Sequence, residues 1–263
     1  MKAPIQLVST DFDGTIFAEF EDPPIAEAFQ SLIGRLQAQG VKWVINTGRD
    51  MTSLMEVMAR ARLQIRPDFL VLVEREIYIH DGARYASLLE WNRRCAEDHA
   101  GLFARVRPDI PRLAAWITDR FDATVYEDPW SPLCFAARNN EDADVIHHYL
   151  DDYCAEIGEL ALVRNDVYAR FSHRAYNKGT ALAEIGRRVG VGADRTFAAG
   201  DHLNDLPMLS SRYAAFLAAP ANAVPSVRAV VRAQHGRVSH LVCAHGVEDA
   251  LSAFLADGAP QEP

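Results

Sequence analysis

The chain has 263 residues, enough for one large domain or two modest ones, each with a proper core. Its hydrophobic content of 49% is typical of a folded, soluble protein, and its formal net charge of -9 argues against nucleic acid as the main partner. The four cysteines are widely spaced and form no Cys-x-x-Cys pair, which argues against structural disulfides and a zinc knuckle. The first residues lack an apolar signal segment and no apolar run reaches membrane-spanning length, so we expect a cytoplasmic protein without a membrane partner.

The first part of the chain alternates apolar strands with amphipathic helices. Strands are predicted over residues 5–8, 41–45 and 69–73. Apolar residues at helical spacing predict helices over 25–36 and 51–58 between them. This rhythm predicts right-handed β-α-β units and therefore a parallel sheet.

From about Glu74 the alternation is lost, and helices and strands follow one another without β-α-β units. Such a pattern predicts an α+β insert, which we assign to residues 75–174. Its predicted helices cover 91–106, 111–121 and 143–157, and its predicted strands cover 77–79, Tyr85, 124–126, 133–137, 160–163 and 167–171.

The parallel rhythm returns after the insert, and the tail from Asp257 is predicted to fray. We therefore predict an α/β protein with a Rossmann-like, doubly wound parallel sheet, built from residues 1–74 and 175–263 and split by the insert. The returning elements are a helix over 181–189, strands over 196–199 and 214–218, and a helix over 247–255.

Two carboxylates follow the first predicted strand, those of Asp11 and Asp13, and Gly14 then turns the chain. Ligands of open α/β sheets bind at the carboxyl ends of the strands, so we expect chemistry at this loop. A calcium loop of the EF-hand type is disfavoured, because it needs further oxygen ligands at set offsets and a terminal glutamate, and none follow here.

Three of the polar residues at strand ends or helix starts of the predicted core suit the steps of phosphoryl transfer. A carboxylate such as Asp11 can attack phosphorus and form an aspartyl-phosphate, and a divalent cation and Lys178 would favour its ionised form. Asp13 can give a proton to the leaving alcohol and take one from the attacking water. Asp11, Asp13 and Lys178 are therefore the candidate catalytic residues.

The predicted cofactor is Mg²⁺, which prefers a few hard oxygen ligands and keeps several waters. The candidate ligands are Asp11, the main-chain carbonyl of Asp13, Asp201 and Asp205. An equally weighted alternative is that Asp205 caps a helix at Leu206-Pro207 instead of touching the metal.

A second set of groups is expected to hold the phosphate oxygens. These are the Thr47 hydroxyl, main-chain N–H groups at Gly48 and around Phe12, and the ammonium of Lys178. Asn204 is expected to orient Lys178 or the phosphate. Thr47 also fits the N-cap of the helix that follows it, either instead of or in addition to binding phosphate.

Four segments resemble the motifs of the haloacid dehalogenase superfamily, and they occur in family order. Asp11-Phe12-Asp13-Gly14-Thr15 is similar to the first motif, Thr47-Gly48-Arg49 to the second and Lys178-Gly179 to the third. Residues 200–205, Gly-Asp-His-Leu-Asn-Asp, are similar to the fourth. The resemblance covers the whole core and implies a Mg²⁺-dependent phosphatase with the aspartate roles given above. In this family Asp13 marks phosphotransferases rather than dehalogenases.

The insert resembles the type C2 cap of subtype B, which implies that it sets substrate specificity. Within that group the chain is similar to sucrose-phosphate phosphatases in residues 66–70, 76–79 and Trp91, and to Cof-like sugar phosphatases in residues 222–225. It departs from them at Val73-Glu74-Arg75, where such families usually carry a small residue beside the site. This edge helps to shape the leaving-group pocket.

We therefore expect a phosphomonoester hydrolase that acts on a small sugar or polyol phosphate, as a monomer or a homodimer. Since the chain is acidic, a metal ion and local lysine or arginine must reverse the field at the site before a phosphate ester can approach. Two alternatives stay open. One is a phosphohexomutase of the same fold, and the other is a low-turnover phosphoester-binding protein, against which Asp13 argues because a binder needs no acid/base group.

Overall fold

The computed structural model describes residues 4–257, which divide into two compact units. The first unit comprises the residues up to Leu88 and those from Lys178 onward, and the second comprises Leu89–Asn177. Within the described range, no helix is both long enough and apolar enough to cross a membrane.

The strands are β1 (Leu7–Thr10), β2 (Lys42–Asn46), β3 (Phe69–Leu72), β4 (Glu76–His80), β5 (Tyr85–Ser87), β6 (Ala123–Asp128), β7 (Ser131–Ala137), β8 (Leu160–Asn165), β9 (Tyr168–His173), β10 (Thr196–Ala199), β11 (Phe216–Ala219) and β12 (Arg237–Val238). The helices are α1 (Glu27–Ala38), α2 (Met51–Arg60), α3 (Leu89–Val106), α4 (Ile110–Thr118), α5 (Asn140–Ile157), α6 (Lys178–Val189), α7 (Pro225–Ala233) and α8 (Cys243–Asp257).

The first unit is built on an eight-stranded sheet in the order β12-β11-β10-β1-β2-β3-β4-β5. The strands from β12 to β3 run parallel, whereas β4 and β5 are antiparallel additions at one edge. Leu7 aligns with Thr196 on one side and with Lys42 on the other, so β1, β10 and β2 end at the same edge of the sheet. The predicted α/β fold with a parallel-dominated, Rossmann-like sheet is confirmed.

Helices cover both faces of this sheet, which explains why its central strands are continuous apolar runs rather than alternating ones. Buried side chains of α1, α2 and α8 join Val8 and Trp43 in one large core cluster. On the opposite face, α6 packs against β1, and a Cβ on Gly186 would lie 3.8 Å from Leu7, an ordinary van der Waals distance.

The second unit is an α+β layer, as the sequence predicts. Its four strands form an antiparallel sheet in the order β6-β7-β9-β8. Residues from α3, α4 and α5 pack on one face of it around a separate core that includes Leu113, Phe135, Leu150 and Phe171.

The boundary between the units differs from the one that the sequence predicts. The prediction began the insert at residue 75, but β4 pairs with β3 through Ile77↔Val71, and the Leu88 N–H still donates to the Ile77 carbonyl at 2.9 Å. These hydrogen bonds hold the chain on the first sheet up to Leu88. At the other end, the second unit runs on to Asn177 rather than residue 174.

Two elements of the first unit were not predicted: helix α7 and the short strand β12. The last helix starts four residues earlier than predicted, at Cys243, where a positive φ of 46° marks the entry. The predicted fraying of the tail concerns residues 258–263, which lie outside the described residues.

Candidate active site

Several predicted site residues lie at the carboxyl ends of parallel strands, at one edge of the sheet. Asp11 directly follows β1, Thr47 directly follows β2, and Asp201 lies just beyond β10. Lys178 is the first residue of α6, and its main-chain carbonyl accepts a hydrogen bond from Asn46 Nδ2 at 2.9 Å. The amide of Asn46 therefore ties the start of this helix to the end of β2.

Lys178 is the centre of the cluster and is fully buried. Its Nζ lies 2.6 Å from Asp11 Oδ1 and 2.6 Å from Asp205 Oδ1. A buried ammonium requires such pairing, because an isolated charge away from water is very costly. Segments that are far apart in the sequence thus converge on one ion-paired group.

Asp205 uses its two oxygens for different tasks. Oδ1 accepts from Lys178, whereas Oδ2 accepts the N–H groups of Asp201 at 2.8 Å and His202 at 3.0 Å. The latter bonds cap a 3₁₀ turn at Leu203–Asp205 rather than a helix at residues 206–207. Asp205 is therefore a capping residue and at the same time a partner of Lys178.

Asp201 is held by the loop that follows β1. Thr15 Oγ1 donates to Asp201 Oδ1 at 2.6 Å. Gly14 has a φ of 71°, and a Cβ at this position would lie 2.5 Å from Asp201 Oδ2. The glycine is needed both for the left-handed backbone and for this close approach.

Burial, and then the charges of neighbouring carboxylates, set the pKa values of the cluster. Burial raises the pKa of Asp11 well above its usual range, and the charge of Asp205 raises it further, whereas Lys178 lowers it. Burial and the charge of Asp205 also raise the pKa of Asp201, to about 7. Burial alone would lower the pKa of Lys178, but the charges of Asp11 and Asp205 outweigh it and raise that pKa.

The donor set fits a hard divalent cation. One carboxylate oxygen from each of Asp11, Asp201 and Asp205 lies within 4.8 Å of the others. Around a Mg²⁺ with bonds near 2.1 Å, neighbouring ligands are roughly 3 Å apart and opposite ligands roughly 4.2 Å apart, so the three oxygens would draw closer together to share an ion. The pKa values of Asp11 and Asp201 are raised first by burial and then by the charge of Asp205, and a bound cation would oppose both effects by favouring the ionised carboxylates. The Asp13 carboxylate is not a member of this group, in keeping with a role for its main-chain carbonyl.

Asp13 is instead paired with Arg49, a residue to which the sequence analysis gave no role. Arg49 Nε donates to Asp13 Oδ2 and Nη2 donates to Asp13 Oδ1, both at 2.7 Å. These hydrogen bonds raise the pKa of the Arg49 guanidinium. A third nitrogen, Nη1, donates to Ser53 at 2.8 Å and fixes the guanidinium on helix α2.

Thr47 and Gly48 form the turn between β2 and α2. The Thr47 hydroxyl accepts the N–H of Arg49 at 3.2 Å, and Thr47 is almost fully buried. The alternative in which Thr47 caps α2 is wrong, because the N-cap is Asp50, whose side chain accepts the N–H of Ser53 at 2.8 Å.

A buried carboxylate that was not predicted as a site residue lies beside this turn. Glu74 follows β3, and its Oε1 accepts from Asn204 Nδ2 at 2.9 Å. Val73 and Glu74 both have a positive φ, of 43° and 67°. Neither is glycine, so each conformation costs on the order of 1–3 kcal/mol. The predicted phosphate ligand Asn204 is thus engaged with Glu74.

Comparisons with known proteins agree with this architecture. The family model described as haloacid dehalogenase-like hydrolase matches residues 8–73 and 117–251, more than half of the chain. No curated protein matches the sequence.

Solved structures share the fold at low sequence identity. The sucrose-phosphatase of Synechocystis sp. PCC6803, solved with sucrose and phosphate, is 19% identical with a TM-score of 0.72, over 96% of this chain and 98% of that one. A haloacid dehalogenase-like hydrolase from Bacillus subtilis is 17% identical with a TM-score of 0.65, over 95% and 100% of the two chains. Another from Bacteroides thetaiotaomicron is 17% identical with a TM-score of 0.61, over 95% and 99%.

Proposed function

Because the chain belongs to the haloacid dehalogenase-like hydrolases, we propose that it is a Mg²⁺-dependent phosphomonoester hydrolase that works through an aspartyl-phosphate. The main support is the position of Lys178, a buried ammonium 2.6 Å from both Asp11 and Asp205 at the end of the central strand. Such a cluster combines a carboxylate nucleophile with a fixed positive charge, and phosphoryl transfer is accelerated mainly by positioning and charge stabilisation.

In the first step, the Asp11 carboxylate attacks the phosphorus atom and the bond to the leaving oxygen breaks. Asp13 gives the proton that the departing alcohol needs. The products of this step are the free alcohol and a phosphoryl group on Asp11. Asp13 lies two residues further along the same loop, and one of its oxygens would have to release its hydrogen bond from Arg49 to carry the proton.

In the second step, water attacks the phosphorus of the aspartyl-phosphate. Asp13 now takes the proton of that water, and the carboxylate of Asp11 leaves as inorganic phosphate forms. Lys178, the Thr47 hydroxyl and the N–H of Gly48 hold the phosphate oxygens and stabilise the charge that develops on them.

Asp11, the carbonyl of Asp13, Asp201 and Asp205 would hold the cation. When bound, Mg²⁺ would supply positive charge that keeps the Asp11 carboxylate ionised and offsets the charge of the phosphate ester. Asp205 would contribute chiefly by fixing Lys178, since its oxygens already accept from that ammonium and from two main-chain N–H groups.

We propose a small sugar or polyol phosphate as the substrate and the second unit, Leu89–Asn177, as the domain that selects it. The support is the likeness in fold to a sucrose-phosphatase solved with sucrose and phosphate. Because the chain is acidic, it would repel a phosphorylated metabolite unless local cations and a metal offset its negative charge. Lys178 and Arg49 are such local cations.

The direct test is phosphate release from a panel of sugar and polyol phosphates by the full chain with Mg²⁺. We expect wild-type activity and a loss of about a thousandfold or more in Asp11→Asn, because an amide is a poor nucleophile. Asp50→Asn is the matched control, since asparagine caps a helix as well as aspartate does. Equal activity in Asp11→Asn and wild type would contradict the proposal.

Phosphorus NMR on the same reactions separates the alternatives. Free inorganic phosphate supports the hydrolase, whereas an isomerised ester identifies a phosphomutase. Tight ester binding with negligible turnover across the panel identifies a binding protein.

A further inference from the structure

One side-chain amide joins three loops of the first unit. Asn222 lies between β11 and α7, and its Nδ2 donates to the main-chain carbonyl of Gly14 at 2.7 Å. Its Oδ1 accepts the N–H of Cys243, the first residue of α8, at 2.8 Å. The amide therefore connects the loop that follows β1 to the start of α8, and the sequence analysis gave it no role.

The orientation of this amide follows from its two partners. A main-chain N–H needs an acceptor and a main-chain carbonyl needs a donor, so Oδ1 faces Cys243 and Nδ2 faces Gly14. Cys243 has a positive φ of 46°, a conformation that is uncommon outside glycine, and the hydrogen bond to Asn222 helps to hold it. Asn222 is thereby fixed on one side by the backbone of α8 while its other side holds Gly14.

The carbonyl that this amide holds lies between two parts of the candidate metal site. On one side of Gly14 is Asp13, whose main-chain carbonyl is a proposed ligand of the cation. On the other side is Thr15, whose hydroxyl donates to Asp201 Oδ1 at 2.6 Å. The Gly14 N–H donates to the Phe17 carbonyl at 3.0 Å, so the peptide groups on both sides of Gly14 are anchored.

The segment that carries Asn222 also contacts Asp201. Val224, two residues further along, donates its N–H to the Asp201 main-chain carbonyl at 2.9 Å. The two loops already lie close together, because a Cβ on Gly14 would be 2.5 Å from Asp201 Oδ2. Residues 222–224 thus hold Gly14 and Asp201 at once, and a shift of either loop changes the spacing of the proposed ligands.

We propose that Asn222 is a positioning residue for the cation, which fixes the Gly14 peptide and so sets the spacing between the Asp13 carbonyl and the Asp201 carboxylate. The inference rests on the proposed function and deepens it, because it names a residue that acts on the metal site through the main chain. Mg²⁺ demands near-ideal octahedral geometry, so its affinity is sensitive to small displacements of its ligands. Asn222 is exposed, so the unit should fold without its side chain.

The test is calorimetric titration of the full chain with Mg²⁺ alone at pH 8, which needs no turnover. In Asn222→Ala the Kd for Mg²⁺ should rise about fivefold, which corresponds to about 1 kcal/mol, the usual contribution of one hydrogen bond. In phosphate-release assays the variant should need about fivefold more Mg²⁺ for half-maximal activity. At saturating Mg²⁺ its KM for the ester should change by no more than about twofold, because the groups proposed to hold phosphate are untouched.

Gln234→Ala is the matched control, because its side-chain amide makes the same kind of bridge elsewhere in the first unit. It accepts the N–H of Ser211 at 2.8 Å and donates to the Leu209 carbonyl at 2.9 Å. Neither partner is next to a proposed metal ligand in the sequence. This variant should lose about as much stability in urea unfolding as Asn222→Ala and keep the wild-type Kd for Mg²⁺.

The outcomes separate this inference from the proposed function. A wild-type protein that binds Mg²⁺ and hydrolyses esters, with the same Kd for Mg²⁺ in Asn222→Ala, overturns the role of Asn222 alone. An equal loss of Mg²⁺ affinity in Gln234→Ala overturns it too, since the effect would then be a general loss of stability. A wild-type protein that neither binds Mg²⁺ nor hydrolyses any ester of the panel overturns the proposed function as well.

Discussion

The Arg49 guanidinium donates two hydrogen bonds of 2.7 Å each to the two carboxylate oxygens of Asp13. Side-on pairs of this kind fix the orientation of a carboxylate as well as its position. Asp13 is the proposed acid and base, and the guanidinium that orients it is itself anchored to helix α2 through Ser53. Arg49 is thus a positioning residue, which acts on the reaction through Asp13.

Arg49→Lys tests this role, because it keeps a positive charge and loses the two-pronged geometry. We expect kcat to fall about tenfold and KM to change by no more than about twofold, since a misplaced acid slows chemistry more than binding. Steady-state kinetics on the best ester of the panel measures both constants. The pH profile of kcat should also change shape, which a purely structural role would not produce.

Ser53→Ala supplies the control for that experiment. It removes the third hydrogen bond of Arg49 and leaves both bonds to Asp13. Its kcat should stay within about twofold of wild type. If Arg49→Lys proves as active as Ser53→Ala, the two hydrogen bonds from Arg49 do not position Asp13.

Lys178→Met removes the ammonium that joins the two carboxylates Asp11 and Asp205. Breaking one partner of a buried ion pair leaves uncompensated charge and costs about 3–5 kcal/mol. We expect this loss in urea unfolding of the metal-free protein at pH 8. At pH 5 the loss should be smaller, because the pKa of Asp11 is raised and a protonated carboxyl no longer needs the ammonium.

Lys42→Met is the matched control, because Lys42 pairs with Asp68 at 2.7 Å but is 44% exposed. Exposed pairs contribute about 0–1 kcal/mol, so this variant should unfold near the wild-type urea concentration. Equal destabilisation by the two substitutions would mean that the buried cluster is no more important to stability than a surface pair.

The site was predictable to the extent that local pattern determines it. Apolar runs that end in Asp11, Thr47 and Asp201 predict both the strands and the edge where they meet, because parallel strands end together. The partner of Arg49 was not predictable, since it depends on how two loops approach each other in space. Glu74 is a similar case: nothing in Val73-Glu74 signals a left-handed backbone, which is usually marked by glycine or asparagine.

In the fold, too, local pattern predicts the individual elements but not how they pair. The β4–β5 hairpin has strand-like residues that suit either unit, and only its pairing with β3 assigns it to the first sheet. Register and pairing are properties of two segments together, so the pattern of single segments predicts a boundary at residue 75, whereas the first unit continues to Leu88.

Stability without metal should fall as the pH rises through the range in which Asp201 ionises. The folded-state pKa of Asp201 is about 7, above its ordinary value of 3.8, so the folded protein binds more protons than the unfolded chain between these values. Stability is therefore greatest near pH 4 for this group and is lost progressively up to about pH 7. Burial raises the pKa of Asp11 too, which acts in the same direction.

Mg²⁺ should reverse this trend, because the cation competes with protons for the same carboxylates. We expect millimolar Mg²⁺ to raise Tm more at pH 8 than at pH 5, as measured by thermal unfolding. Asp201→Asn should raise the metal-free Tm at pH 8 and abolish the response to Mg²⁺. An equal Mg²⁺ effect at both pH values would argue against a cation at this cluster.

Gly14→Ala tests whether close packing of the first loop positions Asp201. A Cβ at Gly14 would lie 2.5 Å from Asp201 Oδ2, so the carboxylate must move. We expect weaker Mg²⁺ activation and a fall of about a hundredfold in kcat/KM, in addition to the backbone cost of alanine at positive φ, about 1–2 kcal/mol. Gly82→Ala separates the two effects, because Gly82 also has a positive φ, 99°, but among residues 4–257 a Cβ there would meet no atom within 4 Å beyond its chain neighbours. That variant should lose a similar amount of stability and keep its activity. If both variants keep full activity and Mg²⁺ dependence, Asp201 tolerates displacement and the loop does not set the geometry of the site.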